Sequence, residues 1–135
     1  MGKQIGEIFT ELYDANPKEK VGILKKYDCK VLRELLRLNF DKRKFFDLPE
    51  GIPDYKPSEE PDGMGHTTLM SEWKRMYLFM HKLSTVGKLK REMQFLSLLE
   101  ALDKIESKIL VEVKDKKLKG VTLKQVKEAY TDFVC

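Results

Sequence analysis

A group of basic residues lies between Lys104 and Lys127, where eight lysines accompany three acidic residues. Four of these lysines lead into Gly120, and Thr122 follows as a predicted helix N-cap. Ammonium groups beside a helix start can hold a phosphate, because they add charge to backbone N–H groups that lack partners within the helix. The segment therefore predicts either a phosphate contact or an ordinary solvated turn, with Lys116, Lys117 and Lys119 exposed. Its candidate phosphate-binding residues are Lys114, Lys116, Lys117, Lys119, Gly120, Thr122 and Lys124.

A second basic group falls on the polar faces of two predicted early helices. Its members are Lys18, Lys20, Lys25, Lys26, Lys30, Arg33 and Arg37. Lysine-rich helical faces are also common as solvated surface, so charge alone leaves both interpretations open.

Sequence signals for catalysis or for a metal are missing. There is no Walker-type loop, no Gly-x-Gly-x-x-Gly and no serine in a nucleophile elbow. His66 and His81 lie fifteen residues apart without Cys or carboxylate at ligand spacing, which favours ordinary imidazoles over zinc ligands. Cys29 has no visible base, and the acidic residues of 59–62 fall in a loop, where solvated charge is favoured over a metal site. We expect a non-enzymatic protein with no metal and no cofactor.

The composition is typical of one globular domain with a highly charged surface. The 135 residues are 41% hydrophobic and 36% charged, with a net charge of +4. Two cysteines make no disulfide framework at this length, which favours a reducing compartment. No signal peptide is visible and no apolar run reaches membrane-spanning length. We expect a single domain over residues 1–135, located in the cytoplasm and not in a membrane.

The apolar residues repeat at three- and four-residue steps along most of the chain, which predicts an all-α bundle of about seven helices. Asn16, Asp28, Asp103 and Thr122 are predicted to cap the second, third, sixth and seventh helices. The fourth and longest is predicted to start at Thr67 or Thr68, to include Leu69, Trp73, Met76, Tyr77, Met80 and Leu83, and to end at residues 84–87. The fifth is predicted to begin near Leu89.

Residues 39–66 interrupt this pattern with four prolines and three glycines. They form a predicted long Pro-rich loop with seven acidic and four basic residues. A free linker would not carry several large apolar side chains, so parts of the loop are expected to be pinned against the core. Those side chains are Phe45, Phe46, Leu48, Ile52 and Tyr55.

The order of these elements resembles the N-terminal all-α DNA-binding domain of ATP-dependent DNA ligases, especially those of tailed phages. The resemblance covers nearly the whole chain and lies in the order and pattern of elements. It begins with an opening helix at residues 5–12 and a lysine-rich helix that contains Ile23-Leu24-Lys25-Lys26-Tyr27. An aromatic, proline-bearing loop follows, and Thr68-Leu69 starts a helix after the glycines at 63 and 65. The last part is a hydrophobic helix, a basic turn and a closing helix over residues 110–130. The chain is also similar to short uncharacterised proteins of large marine tailed phages, which implies host cytoplasm.

In the ligase family this domain is not catalytic; it contacts phosphates on the minor-groove side of duplex DNA. The resemblance implies that the turn from Lys116 to Lys124 contacts the DNA backbone, with Lys25 and Lys26 as weaker candidates. The ligase nucleophile lies in a Lys-x-Asp-Gly motif, whereas the one Asp-Gly here, at 62–63, follows Glu60-Pro61. Ligation itself is therefore not implied.

Two hypotheses follow. The first is a stand-alone module that binds double-stranded DNA through phosphates with little sequence specificity. The second is a protein-interaction or regulatory module of a phage, which acts on a host or phage replication or transcription component through the 45–62 loop. Phe45, Phe46 and Tyr55 are the candidate contacts of the second. No small-molecule substrate is expected, and a third reading, a virion structural protein, has no specific support in the sequence.

Overall fold

The protein is a bundle of short helices. The computed structural model describes residues 3–61, 64–80 and 87–133. In these ranges the predicted all-α class is confirmed: no strand forms, and one isolated antiparallel bridge pairs Phe46 with Met80. The helices are α1 (Ile5–Tyr13), α2 (Pro17–Lys26), α3 (Lys30–Phe40), α4 (Leu69–Glu72), α5 (Lys88–Ala101), α6 (Lys104–Lys114) and α7 (Leu123–Ala129), with a 3₁₀ helix at Trp73–Phe79 between α4 and α5.

Local capping signals set the starts of three helices as predicted. The Asn16 side chain accepts a hydrogen bond from the N–H of Glu19 at 2.8 Å, and Pro17 follows it at the first helical position. The side chains of Asp103 and Thr122 likewise accept a backbone N–H at the starts of α6 and α7. Each cap gives a backbone donor of the first turn a partner that the helix itself cannot supply.

The predicted cap of α3 is wrong by one residue. Cys29 is the N-cap, and its side chain makes no capping hydrogen bond. The Asp28 carboxylate instead accepts two hydrogen bonds from the Arg33 guanidinium, at 2.6 and 2.8 Å. This bidentate pair is a stronger interaction for a carboxylate than a single backbone N–H.

The predicted longest helix is also wrong. α4 spans only Leu69–Glu72, the chain then tightens into the 3₁₀ helix, and the longest helix among the described residues is α5. At Met80 the backbone is extended, because the preceding carbonyl of Phe79 accepts the N–H of Asp47 from the loop at 2.7 Å. A loop partner distant in sequence thus ends the helical stretch. The predicted end of this helix, with Leu83, lies outside the described residues.

Helix α6 lies at the centre of the packing, where it contacts α1, α3 and α5, while α2 packs mainly on α7. The core combines aliphatic residues of α1, α3 and α6 with an aromatic cluster of Phe46, Phe79 and Phe95, whose ring centroids lie 5.3–6.1 Å apart. Edge-on aromatic contacts of this kind stabilise a core beyond the area they bury. No helix in the described ranges is long and apolar enough to cross a bilayer.

The long loop is pinned, as predicted, at part of its apolar residues. Phe46 is buried, and Leu48 and Tyr55 pack against the core. The expectation fails for Ile52, which is 82% exposed; Phe45 is 42% exposed. Burial raises the pKa of Tyr55 above its usual value. The loop therefore follows the surface as a fixed strap with an exposed apolar tip.

A buried carboxylate joins three helices at the centre of the bundle. Glu106 of α6 is 1% exposed, and its two oxygens accept the N–H of Gly6 in α1 and of Leu69 in α4, both at 3.0 Å. Both donors lie in the first turns of their helices, where backbone N–H groups lack intrahelical partners. Burial raises the pKa of the Glu106 carboxyl, and the two N–H donors oppose that shift.

Replacing Glu106 by alanine should lower the free energy of unfolding by about 2–4 kcal/mol, because two buried N–H donors lose their acceptor. Denaturant unfolding followed by circular dichroism measures this change. The control is Glu128→Ala on the exposed face of α7, which should change stability by less than about 0.5 kcal/mol. Equal stability of the two variants would contradict the role given to Glu106.

Candidate nucleic-acid interface

The ammonium group of Lys114 points into the protein. It donates hydrogen bonds to the carbonyl oxygens of Pro49 and Gly51 at 2.7 and 2.9 Å, and it pairs with the Asp115 carboxylate at 2.6 Å. The Asp115 carboxylate in turn accepts the N–H of Gly51. Lys114 is buried, so it fixes the loop and is a poor candidate for phosphate contact.

Lys116 is likewise engaged inside the molecule, and the prediction that it is exposed is wrong. Its ammonium donates to the carbonyl oxygens of Leu38, Asp41 and Lys44 at 2.6, 2.9 and 2.7 Å. These carbonyls belong to the last turn of α3 and the residues after it, whose acceptors lie beyond the helical ladder. The backbone of Lys116 has a φ of 58°, an uncommon conformation for a side-chain-bearing residue. Burial lowers the pKa of Lys116.

Lys117 and Lys119 are exposed, whereas the apolar residues between and after them are not. Leu118 and Val121 are buried, and the N–H of Leu118 donates to the Asn39 side chain at 3.0 Å. The Lys117 ammonium lies 3.8 Å from a Glu50 carboxylate oxygen. Both of those side chains are mostly exposed, so their pairing contributes little. The predicted turn is thus a packed segment that presents two lysines to solvent.

Gly120 and Thr122 have structural roles at the start of α7. Gly120 has a φ of 99°, and a Cβ there would lie 2.9 Å from the ring of Tyr13. Glycine is therefore required both by the backbone and by the contact. The Thr122 hydroxyl accepts the N–H of Gln125, whose side chain accepts the N–H of Thr122. This reciprocal cap uses two of the donors that the sequence had assigned to an anion.

The other predicted lysines lie together on a pair of helices. α2 packs on α7, and the Tyr130 hydroxyl after α7 donates to the carbonyl of Leu24 at 2.6 Å. At the opposite ends, Gly120 before α7 packs on Tyr13 before α2. Because the N-terminal ends of α2 and α7 lie near each other and so do their C-terminal ends, the two helices run in the same direction. We call their exposed surface the α2–α7 surface. Its exposed lysines are Lys18, Lys25, Lys26, Lys124 and Lys127.

The α2–α7 surface has an excess of basic over acidic residues. The two helices contain six lysines and two glutamates, a surplus equal to the net charge of +4 of the whole chain. One of those glutamates, Glu19, accepts the N–H of Asn16 in the cap of α2. The lysines of the last helical turns, such as Lys25 and Lys26, also interact favourably with the helix dipole, so part of this charge has a structural benefit.

The two arginines of the second basic group do not extend this surface as free cations. Arg33 binds Asp28 and Asp132 and stacks on the ring of Tyr130, with the guanidinium carbon 4.3 Å from the centroid. Those carboxylates raise its already high pKa. Arg37 lies 5.9 Å from the centroid of Phe133. Both arginines fasten the end of the chain to α3.

Sequence reasoning missed two members of the α2–α7 surface and the reason that they belong together. Lys18 and Lys127 were left out of the candidate phosphate contacts, although the periodicity of α2 and α7 already placed both on polar faces. The sequence carries no signal for the packing of α2 on α7, because that packing joins segments about a hundred residues apart in the chain.

The three loop residues predicted to contact a partner protein differ in their exposure to solvent. Phe46 belongs to the core and is not accessible to a partner, so this assignment is wrong. Tyr55 is half-buried, and Phe45 is 42% exposed. In the described residues, no three His, Cys, Asp or Glu side chains group as a metal site. His66 is exposed, and His81 lies outside those residues.

Lys116→Met should lower the free energy of unfolding by about 2–3 kcal/mol, because three carbonyl oxygens lose a charged donor. Lys119→Met is the matched control in the same segment, and an exposed site should change by less than about 0.5 kcal/mol. Chemical denaturation of both variants measures the difference. Similar midpoints would show that the Lys116 contacts contribute little.

A comparison with protein families matches residues 10–120 to DUF6433, described as a family of unknown function. Comparisons with curated proteins and with solved structures gave no match. The family match extends from α1 through the Lys114–Gly120 segment, and so includes the loop and the ammonium groups of Lys114 and Lys116 that bind backbone carbonyls. On the extent of this match, the chain belongs to the DUF6433 family.

Proposed function

We propose that this protein is a non-catalytic module that binds duplex DNA through its phosphate backbone, with the α2–α7 surface as the contact and Lys119 beside it. The observation that carries this proposal is the concentration of five exposed lysines on two helices packed side by side. Such a surface offers phosphates several point charges at once, which is the main source of sequence-independent affinity.

The chemistry of the surface favours phosphate contact over the reading of bases. Its cations are lysines, which act as point charges, whereas base recognition commonly uses the bidentate geometry of arginine, asparagine or glutamine. The nearby arginines are held by carboxylates and aromatic rings. A helix of ten residues such as α2 is about 15 Å long, a length that spans about four phosphates of one strand. We therefore expect little sequence specificity.

The acidic loop lies against other elements. Its backbone is bound to Glu100 at the end of α5, through the N–H of Lys56 at 3.0 Å, and to Lys114 and Asp115 at the end of α6. The main packing partners of α2 are α1 and α7 instead. This arrangement supports the proposal, because carboxylates held on the contact surface would repel the phosphate backbone.

The affinity for a short duplex should depend strongly on salt. If the five exposed lysines each neutralise one phosphate, the logarithm of the affinity should fall with the logarithm of salt concentration with a slope of about −4.5. Fluorescence anisotropy of a labelled duplex, measured over a range of salt, gives this slope. A flat response, or no binding at low salt, would contradict the proposal.

The location of the contact is tested by two triple variants with the same change in net charge. Lys25→Glu, Lys26→Glu and Lys124→Glu together should weaken binding and flatten the slope by about 3 units. The control changes three exposed lysines elsewhere, namely Lys74→Glu, Lys88→Glu and Lys90→Glu. A control that weakens binding equally would show that only total charge matters and would remove the contact from the α2–α7 surface.

A further inference from the structure

A second feature of the surface is an apolar pocket between the loop and α5. Its volume is about 250 Å³, and Leu48, Phe95 and Leu96 contribute apolar side chains to its lining. Ile52, which is 82% exposed, also lines this pocket. Because a cavity of about 150 Å³ is enough for a benzene ring, the pocket has room for one large apolar side chain. We call it the loop pocket.

The loop side of this pocket is preformed. The Lys114 ammonium holds the carbonyls of Pro49 and Gly51, and the Asp115 carboxylate holds the N–H of Gly51. On the entry side of the loop, Arg91 of α5 binds both the carbonyl oxygen and the carboxylate of Asp47, at 2.9 and 2.8 Å. A wall fixed by this many contacts loses little conformational entropy when a ligand binds, which favours binding.

The charged groups of the pocket are mainly acidic. Glu50 and Asp54 come from the loop and Glu92 comes from α5. Lys114 also lines the pocket, but its ammonium is already bound to two carbonyls and to Asp115. The neighbouring Lys117 lies 3.8 Å from Glu50 as an exposed pair, which is easily exchanged for another partner. An entering group therefore meets an apolar floor and a negative rim.

We propose that the loop pocket binds a peptide segment of a partner protein that carries one large apolar side chain flanked by lysine or arginine. The apolar side chain would fill the space above Phe95 and Leu96, while the flanking cations would meet the carboxylates of the rim. Charge complementarity of this kind selects the partner and excludes nucleic acid, whose phosphates the rim repels. This site is separate from the α2–α7 surface and does not depend on DNA binding.

The proposal is tested with two synthetic blocked pentapeptides, Gly-Lys-Phe-Lys-Gly and Gly-Glu-Phe-Glu-Gly, titrated into the isotope-labelled full chain. The Lys-Phe-Lys peptide should cause saturable amide shifts at Gly51, Ile52 and Leu96 with a Kd of about 1 mM or below. The Glu-Phe-Glu peptide should bind at least about tenfold more weakly, because its charges face the same carboxylates.

A variant with three neutralised rim carboxylates and a control with two neutralised carboxylates elsewhere in the loop separate the pocket from general acidity. Glu50→Gln, Asp54→Asn and Glu92→Gln together should weaken the Lys-Phe-Lys peptide about tenfold. The control, Glu59→Gln with Glu60→Gln, neutralises exposed carboxylates of the same loop outside the pocket and should leave affinity unchanged. Circular dichroism confirms that both variants fold.

Three outcomes would overturn the proposal. The first is the absence of saturable shifts at the pocket. The second is equal binding of both peptides, which would assign the pocket to any small apolar ligand. The third is a dimer of the peptide-free chain, detected by sedimentation equilibrium and lost in the rim variant, which would assign the pocket to a second copy. None of these outcomes changes the salt dependence expected for duplex DNA.

Discussion

The ammonium groups of Lys114, which is buried, and of Lys116, which is half-buried, hold the connection between the first three helices and the rest of the protein. Lys114 and Lys116 together bind five backbone carbonyl oxygens between residues 38 and 51. Asp115, between them, accepts the N–H of Gly51 and also pairs with Lys114. Three consecutive residues at the end of the central helix thus fix the end of α3, the first part of the loop and one wall of the loop pocket. Charge-assisted bonds are among the stronger polar contacts in proteins.

This use of lysine divides the positive charge of the chain into two kinds. The lysines at 114 and 116 act inside the structure, where their partners are backbone oxygens. Those at 117 and 119 and those of α2 and α7 remain on the surface. The contacts of Lys114 and Lys116 explain why the basic segment before Gly120 is less available to an anion than its sequence suggests. Five of the exposed lysines lie on α2 and α7, and this grouping supports a phosphate contact at the α2–α7 surface.

The helix starts could be predicted because their signals are local. Asn16, Asp103 and Thr122 each bind a backbone N–H three residues ahead, so spacing alone is informative. The partners of Lys116 lie more than seventy residues away and are backbone carbonyls, which have no sequence signature. The 3₁₀ helix was missed for a similar reason, because its apolar spacing suits an α-helix and a loop residue ends it. Similarly, the pocket depends on contacts between loop and α5 that no spacing reveals.

Two surfaces of opposite charge follow from this arrangement, one basic on α2 and α7 and one acidic around the loop pocket. The central claim is that duplex DNA contacts the first and avoids the second. Amide shifts of the isotope-labelled chain on addition of a short duplex test this claim most directly. We expect shifts concentrated in α2 and α7, around Lys25 and Lys124, with Ile52 and Leu96 unchanged. Shifts centred on the loop pocket, or none at low salt, would contradict it.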